Sequence, residues 1–315
     1  MVGRRATTGR ALTTDRGDPG LFGPDSEAWR LDREAMLLLG AGPRALLLQI
    51  AHPLVAAGVA DHSNFREDPW RRLDGTLRSY LTIVYGSTRA ARAEIRRLNE
   101  LHRGITGPGY TARDPELSLW VHATLIESTL AAYDAWLEPL SRDRRARFYE
   151  ETKPLGRAFG ITDALLPADL DAFDAYYAGM LDSDGPVHPS PVARELARSI
   201  LRPPLAPLAK LAPAGLDQAV RPLLERIPVA TYAWTLWPSV GLLPATLREE
   251  YGFAWGPGRQ AVSTWLVAGW QAWRPLIPAG WRWMPQAQAA DRRIAAGGAS
   301  VSTDGGSAAG TAVRG

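Results

Sequence analysis

Residues 114–136, DPELSLWVHATLIESTLAAYDAW, decide the fold. Asp114 offers a side-chain acceptor to the free N–H groups of a helix start. Pro115 falls in the first turn, where its missing N–H costs nothing. Beyond it, Leu117, Leu119, Trp120, Val121, Leu125, Ile126 and Leu130 put apolar groups on nearly every face. A helix apolar all round must be covered by other elements, so this segment is expected at the centre of a helical domain.

The same start signal recurs upstream at Asp68-Pro69 and opens a helix whose buried stripe is Leu73, Leu77, Tyr80 and Val84. Between the two, Ser87 or Thr88 caps a third helix running to Gly104 or Gly107, where glycine is expected to supply a left-handed C-terminal residue. Apolar spacings of three and four recur along the chain and strict alternation almost never does. The expected fold is all-α: a single helical domain over residues 25–293 with a buried central helix. A basic tail (1–24) and a Gly/Ala/Ser tail (294–315) are expected to be disordered. Of 25 prolines, many follow Pro186 and break the second half into short helices, with 183–192 the best place for an internal boundary. Gly40-Ala41-Gly42 reads as a turn between helices.

A chain of 315 residues, 46% hydrophobic and 22% charged, has enough apolar surface for one large core. The absence of Cys removes disulfides, thiol nucleophiles, iron–sulfur clusters and thiolate metal sites. Redox or metal chemistry must then use His, carboxylates or a carried cofactor. Residues 1–16 carry a charge of +3, equal to that of the whole chain, so the basic balance is a tail property and no nucleic-acid partner is expected. The apolar run Ala45–Ala60 is interrupted by Gln49, His52 and Pro53 and falls short of the roughly 20 residues a bilayer crossing needs. No apolar stretch follows Arg4-Arg5, as a secretory signal would require, and a cytoplasmic protein is expected.

There are five histidines: His52, His62, His102, His122 and His188. His102 continues the stripe Ile95, Leu98, Ile105 and points inward, either as a hydrogen-bonded core imidazole or as a ligand. His122 shares a side of the central helix with Leu119 and Ile126 and carries the same two readings. His52 and His62 flank an apolar segment as turn or cap residues, and His188 lies in the proline-rich boundary. A di-iron bundle would need Glu-x-x-His, but Asn99 and Leu119 stand three residues before His102 and His122. His-Glu-x-x-His and glycine-rich phosphate loops are also missing. Arg72 and Thr76, four apart, border the stripe of their helix, either as surface groups or as a guanidinium and hydroxyl facing a cavity.

Three blocks in order, LLLGAGPRALLLQIAHPLVAAGVADHSNFREDPWRRLDGTLRSYLTIVYG (37–86), LNELHRGITG (98–107) and DPELSLWVHATLIESTLAAY (114–133), resemble the MpaB-type and rubber-oxygenase (latex-clearing) catalytic domain. Weaker similarity continues through LLPATLREEYGFAW and WRPLIPAGWRWMPQAQAA, so the resemblance spans about residues 28–292. It implies a helical protein that holds haem b through one axial histidine and oxidises an apolar substrate with dioxygen. By the same resemblance Arg72-Leu73-Asp74-Gly75-Thr76 stands where the family carries Arg-x-x-Lys-Thr, and Leu98 to His102 where it carries the axial histidine. His102 is then the iron ligand and Arg72 and Thr76 act on dioxygen. His122 and Tyr80 join His102 as cofactor-binding residues, with His122 a second candidate for the iron. Gly75 replaces the motif lysine, so a lysine-closed iron is lost and rubber is not implied as the substrate.

A second reading is a non-catalytic helical protein that binds an apolar ligand or a membrane surface. Half of the twelve tryptophans, Trp255, Trp265, Trp270, Trp273, Trp281 and Trp283, fall in the last folded stretch. Against it, Trp265, Gly269 and Trp273 recur every four residues, as on a helix face packed onto a core.

Overall fold

The structure is a computed structural model that describes residues 15–62, 69–202, 217–228, 231 and 233–304, with backbone only for 38, 39, 69–74, 217, 220 and 298–304. The described residues form fifteen α-helices and one short hairpin. The first five helices are α1 (Glu27–Leu31), α2 (Ala35–Ala51), α3 (Pro53–His62), α4 (Pro69–Tyr85) and α5 (Thr88–Arg103). Strands β1 (Thr106–Gly107) and β2 (Tyr110–Thr111) follow as an antiparallel pair. Next come α6 (Pro115–Trp136), α7 (Arg142–Ala158), α8 (Leu170–Met180), α9 (Pro191–Ile200) and α10 (Asp217–Glu225). The chain ends in α11 (Trp237–Gly241), α12 (Ala245–Glu250), α13 (Pro257–Trp273), α14 (Ala279–Arg282) and α15 (Pro285–Asp304). The protein is all-α.

The expected helix starts are formed. Asp114 accepts from the Glu116 N–H at 2.8 Å and Ser87 from the Ala90 N–H at 3.3 Å. Helix α4 begins at Pro69, and Asp68 lies outside the described residues. Helix α5 does end at Gly104, but with φ −86°. The left-handed glycine is Gly109 (φ +78°), in the β1–β2 turn. Gly104 keeps right-handed geometry because its N–H closes a tight turn onto Leu101 O.

Helix α6 is central, and its main partner is α2. As α2 advances from Gly40 through Arg44 to Leu48, its partners on α6 retreat from Trp136 through Glu127 and Ser128 to Trp120, so the two are antiparallel. Gly40-Ala41-Gly42 is therefore not a turn but part of α2. A Cβ on Gly40 would lie 2.6 Å from Trp136 Nε1, so the glycine serves close helix approach. The pair is covered on both sides. Leu47, Leu48 and Trp120 join Val187, Ala193, Leu196 and Leu247, while Leu37, Ile126 and Leu130 join Leu31, Phe148, Tyr149 and Phe173. Each large apolar side chain so buried contributes about 1.5–3 kcal/mol. Helix α9 shares the first of these clusters with α2, so the proline-rich break at 183–192 separates no second core.

Residues 15–24, assigned to the basic tail, are bound to the helical body. Asp18 accepts from the Thr88 N–H at 2.9 Å and the Thr88 hydroxyl at 2.8 Å at the start of α5, and the Arg293 Nε donates to Asp18 O. Helix α15 likewise continues past 293. The tryptophan face also differs from expectation: Trp265 and Trp273 are 68% and 65% exposed. Helix α13 instead turns Ser263, Val267 and Trp270 inward. A four-residue spacing identifies one face, but on a helix with apolar groups all round it does not say which face is covered. No single helix among the described residues is long and apolar enough to cross a membrane. Helices α2 and α3 together are, but they meet at a bend of 103°.

Candidate functional site

Helices α4 and α5 form a hairpin closed at Gly86 and Ser87. Halfway along, Arg97 Nη2 donates to Ser79 Oγ at 3.1 Å. Counted from that closure, Thr76 lies ten residues back along α4 and His102 fifteen residues on along α5. Thr76 and His102 each fall in the half of their helix away from the closure. Arg72 lies a turn beyond Thr76 on α4, and its side chain is outside the described residues. Thr76 is exposed, and a Cβ on Gly75 would meet nothing within 4 Å. His102 is half-buried with its ring 6.4 Å from Phe159. One turn earlier, Asn99 Nδ2 donates to Ala158 O at 2.8 Å and fixes α5 on the end of α7.

His122 reaches the same end of α7 from the other side. Its Nε2 lies 3.2 Å from where a Cβ on Gly156 would sit, so only glycine leaves room for the imidazole. The ring is 7% exposed, and Nε2 has no hydrogen-bond partner among the described residues. Burial pushes its pKa down to about 4, which keeps the imidazole neutral. His122 and Tyr80 line one narrow cavity of about 20 Å³ with Asp32, Val84, Leu125, Ile126, Phe148, Thr152 and Leu155. Thr76 and His102 are not among the described residues that line it.

Asp32 was not singled out from the sequence, because a lone acid between Leu31 and Arg33 looks like any surface charge. It is 1% exposed, Tyr80 Oη donates to its Oδ2 at 2.7 Å, and Oδ1 has no partner among the described residues. Burial pushes its pKa up to about 7 against the opposing pull of Tyr80. The remaining histidines are peripheral to both places. His52 ends α2, is buried, and has its pKa lowered by burial against the pull of Asp114. His62 Nε2 pairs with Thr106 O at 2.8 Å, and His188 Nδ1 lies 3.1 Å from Glu250. No group of three or more His, Asp or Glu that could hold a metal ion occurs among the described residues.

The family model for the catalytic domain of the ER-bound oxygenase mpaB/B′ and rubber oxygenase matches residues 29–277. The chain belongs to this oxygenase family. The match covers the α4–α5 hairpin, α6 and the ends of α2 and α13 alike. Two similar proteins are the uncharacterized proteins Rv2237 of Mycobacterium tuberculosis and Mb2261 of Mycobacterium bovis. Each is 26% identical over 246 residues, covering 74% of this chain and 87% of the relative. No solved structure gives a significant match.

A haem needs one imidazole donor and a slot wide enough for its macrocycle. His122 has the donor but not the slot: ligand sites occupy roughly 300–1,000 Å³, far above the cavity it faces. His102 has the donor and sits half-buried beside the Phe159 ring. The imidazole of His102 is a donor of the kind that holds a haem iron.

Proposed function

We propose that the protein is a haem b-dependent oxygenase of the MpaB and rubber-oxygenase family, acting with dioxygen on an apolar organic substrate. The observation that carries this reading is the family match over residues 29–277, within which Arg72, Thr76 and His102 lie on the α4–α5 hairpin. His102 would hold the haem iron through its imidazole. The bound haem supplies dioxygen binding and activation. Phe159 packs against the His102 ring, and Asn99 one turn earlier fixes α5 to α7, so the imidazole is presented from a rigid support. Thr76 offers a hydroxyl and Arg72 a guanidinium to negative charge developing on reduced oxygen. Gly75 leaves open the space in which the family's motif lysine would stand, so this chain has no side chain there to close the iron. Tyr80 and His122 line a separate cavity behind this end and support the fold around it.

Absorption spectroscopy tests the reading. Protein from a haem-supplemented host should show a Soret band with about one haem per chain and no thiolate-type carbon monoxide shift, because there is no Cys. A folded, colourless protein that takes up no added haemin would overturn it. The exposed Trp265, Trp273, Leu276 and Trp281 favour, as a second reading, an apolar surface partner, which vesicle co-sedimentation would detect.

A further inference from the structure

The cavity lined from α1, α4, α6 and α7 is narrow and mostly apolar. Phe22, Val84, Leu125, Ile126, Phe148 and Leu155 form most of its wall. Asp32 and His122 both line it, and each has a buried polar atom without a hydrogen-bond partner among the described residues: Asp32 Oδ1 and His122 Nε2. Leaving such an atom unpaired costs about 1–3 kcal/mol, and two in one cavity double the penalty. The volume, about 20 Å³, exceeds the roughly 10–15 Å³ that one water needs and excludes anything much larger.

We propose that this cavity is a water site in which one internal water bridges Asp32 Oδ1 to His122 Nε2, making Tyr80, Asp32, water and His122 a single buried proton-sharing chain. The directions of its hydrogen bonds follow from the donors. Tyr80 Oη already donates to Asp32 Oδ2. A neutral Asp32 donates from Oδ1 to the water, and the water donates to the unprotonated His122 Nε2. Thr152, whose hydroxyl donates to Tyr149 O at 2.8 Å, lines the cavity and keeps a lone pair for the water's remaining hydrogen.

The charged groups around the cavity are engaged elsewhere, which is why Asp32 takes a proton rather than a cation. On α1 and the link that follows it, Glu27 binds Arg144 and Arg147, Arg33 binds Asp291, and Glu34 binds Arg274 and Arg282. On α6 Glu127 binds Arg44, and on α7 Lys153 binds Glu150. An isolated carboxylate in such a wall is expensive, so the neutral acid is the resting form. Transfer along the chain is balanced. The proton on Asp32 Oδ1 moves to the water as the water passes one of its own to His122 Nε2, giving a carboxylate and an imidazolium. Because His122 stands on Gly156 and His102 docks beside Phe159, this store of one proton lies directly behind the hairpin end assigned to the oxygenase site.

Infrared spectroscopy of the carboxylic carbonyl stretch reads the chain with or without haem. Wild-type protein near pH 6 should show a band from one buried protonated acid that shifts in D2O. Asp32→Asn should abolish it, Tyr80→Phe should move it by removing a donor to the carbonyl, and His122→Phe should move it by breaking the bridge. A spectrum without an Asp32-dependent band, or a band that His122→Phe leaves in place, would overturn the proposal. In the unsubstituted protein, where folding is not in question, 15N spectra should show His122 Nε2 unprotonated and accepting a hydrogen bond, with cross-relaxation to a long-lived water. Absence of that water signal counts against the bridge equally.

Discussion

Tyr80 on α4 holds Asp32 at 2.7 Å and meets His122 across the same cavity wall, so that two buried groups of opposite titration share one site. Burial raises the Asp32 pKa to about 7 and lowers that of His122 to about 4. In both cases the neutral form is favoured.

The two groups should leave opposite marks on stability against pH. Between about pH 4 and 7 folded Asp32 keeps a proton that the unfolded chain releases, so its contribution is full at low pH and is lost as pH rises. Between about pH 4 and 6.5 the unfolded chain protonates His122 while the folded chain does not, so its contribution is lost as pH falls. Each effect is on the order of 3–4 kcal/mol, and over the shared window they oppose each other. Denaturant titrations should therefore find Asp32→Asn gaining stability from pH 4.5 to 6.5 and His122→Phe losing it over the same range. Parallel slopes in the two variants would contradict the assignment.

His102→Ala and His122→Ala separate ligand from support. His102→Ala should lose haem or give spectra that depend on added imidazole, which refills a coordination position but cannot repair a core. His122→Ala should keep a histidine-ligated iron and lose a few kcal/mol of stability, because it opens a gap against Gly156. Haem per chain, helix content and imidazole titration distinguish the outcomes, and the reverse pattern would move the ligand to α6.

Arg72→Ala and Thr76→Val should leave helix content and haem content near those of the parent and lower oxygen-dependent turnover by about 10–1,000-fold. Thr76 is exposed at the hairpin end, so its replacement removes little packing. Unchanged turnover would return both residues to the surface.

Gly40→Ala should destabilise the protein by about 1–3 kcal/mol in denaturant titration, since its Cβ meets Trp136 at 2.6 Å and the central helix has no room to yield. An Ala at a turn would have been harmless.

Trp265→Ser should change stability by no more than about 0.5 kcal/mol, because its indole is 68% exposed. Trp120→Ala should cost about 3–5 kcal/mol, because that indole is fully buried and donates to Leu48 O. Equal losses would place Trp265 inside.

What the sequence determined by itself was local or total. The starts of α5 and α6 were written in Ser87 and Asp114-Pro115, because a cap is a contact between near neighbours in the chain. The centrality of α6 followed from apolar residues on every face, since no partial covering would serve them. The α4–α5 hairpin was within reach, because a two-residue link between helices forces one. Only the tertiary structure decided which faces are covered. It put Gly40 against Trp136, turned Trp265 and Trp273 to solvent, and joined Asp18 to Thr88 across some seventy positions. It alone found Asp32, whose character comes from Tyr80 and His122 on helices 48 and 90 positions away in sequence. A charge reads as a surface residue until burial removes its water, and burial is a property of the packed whole that spacing along one helix does not record.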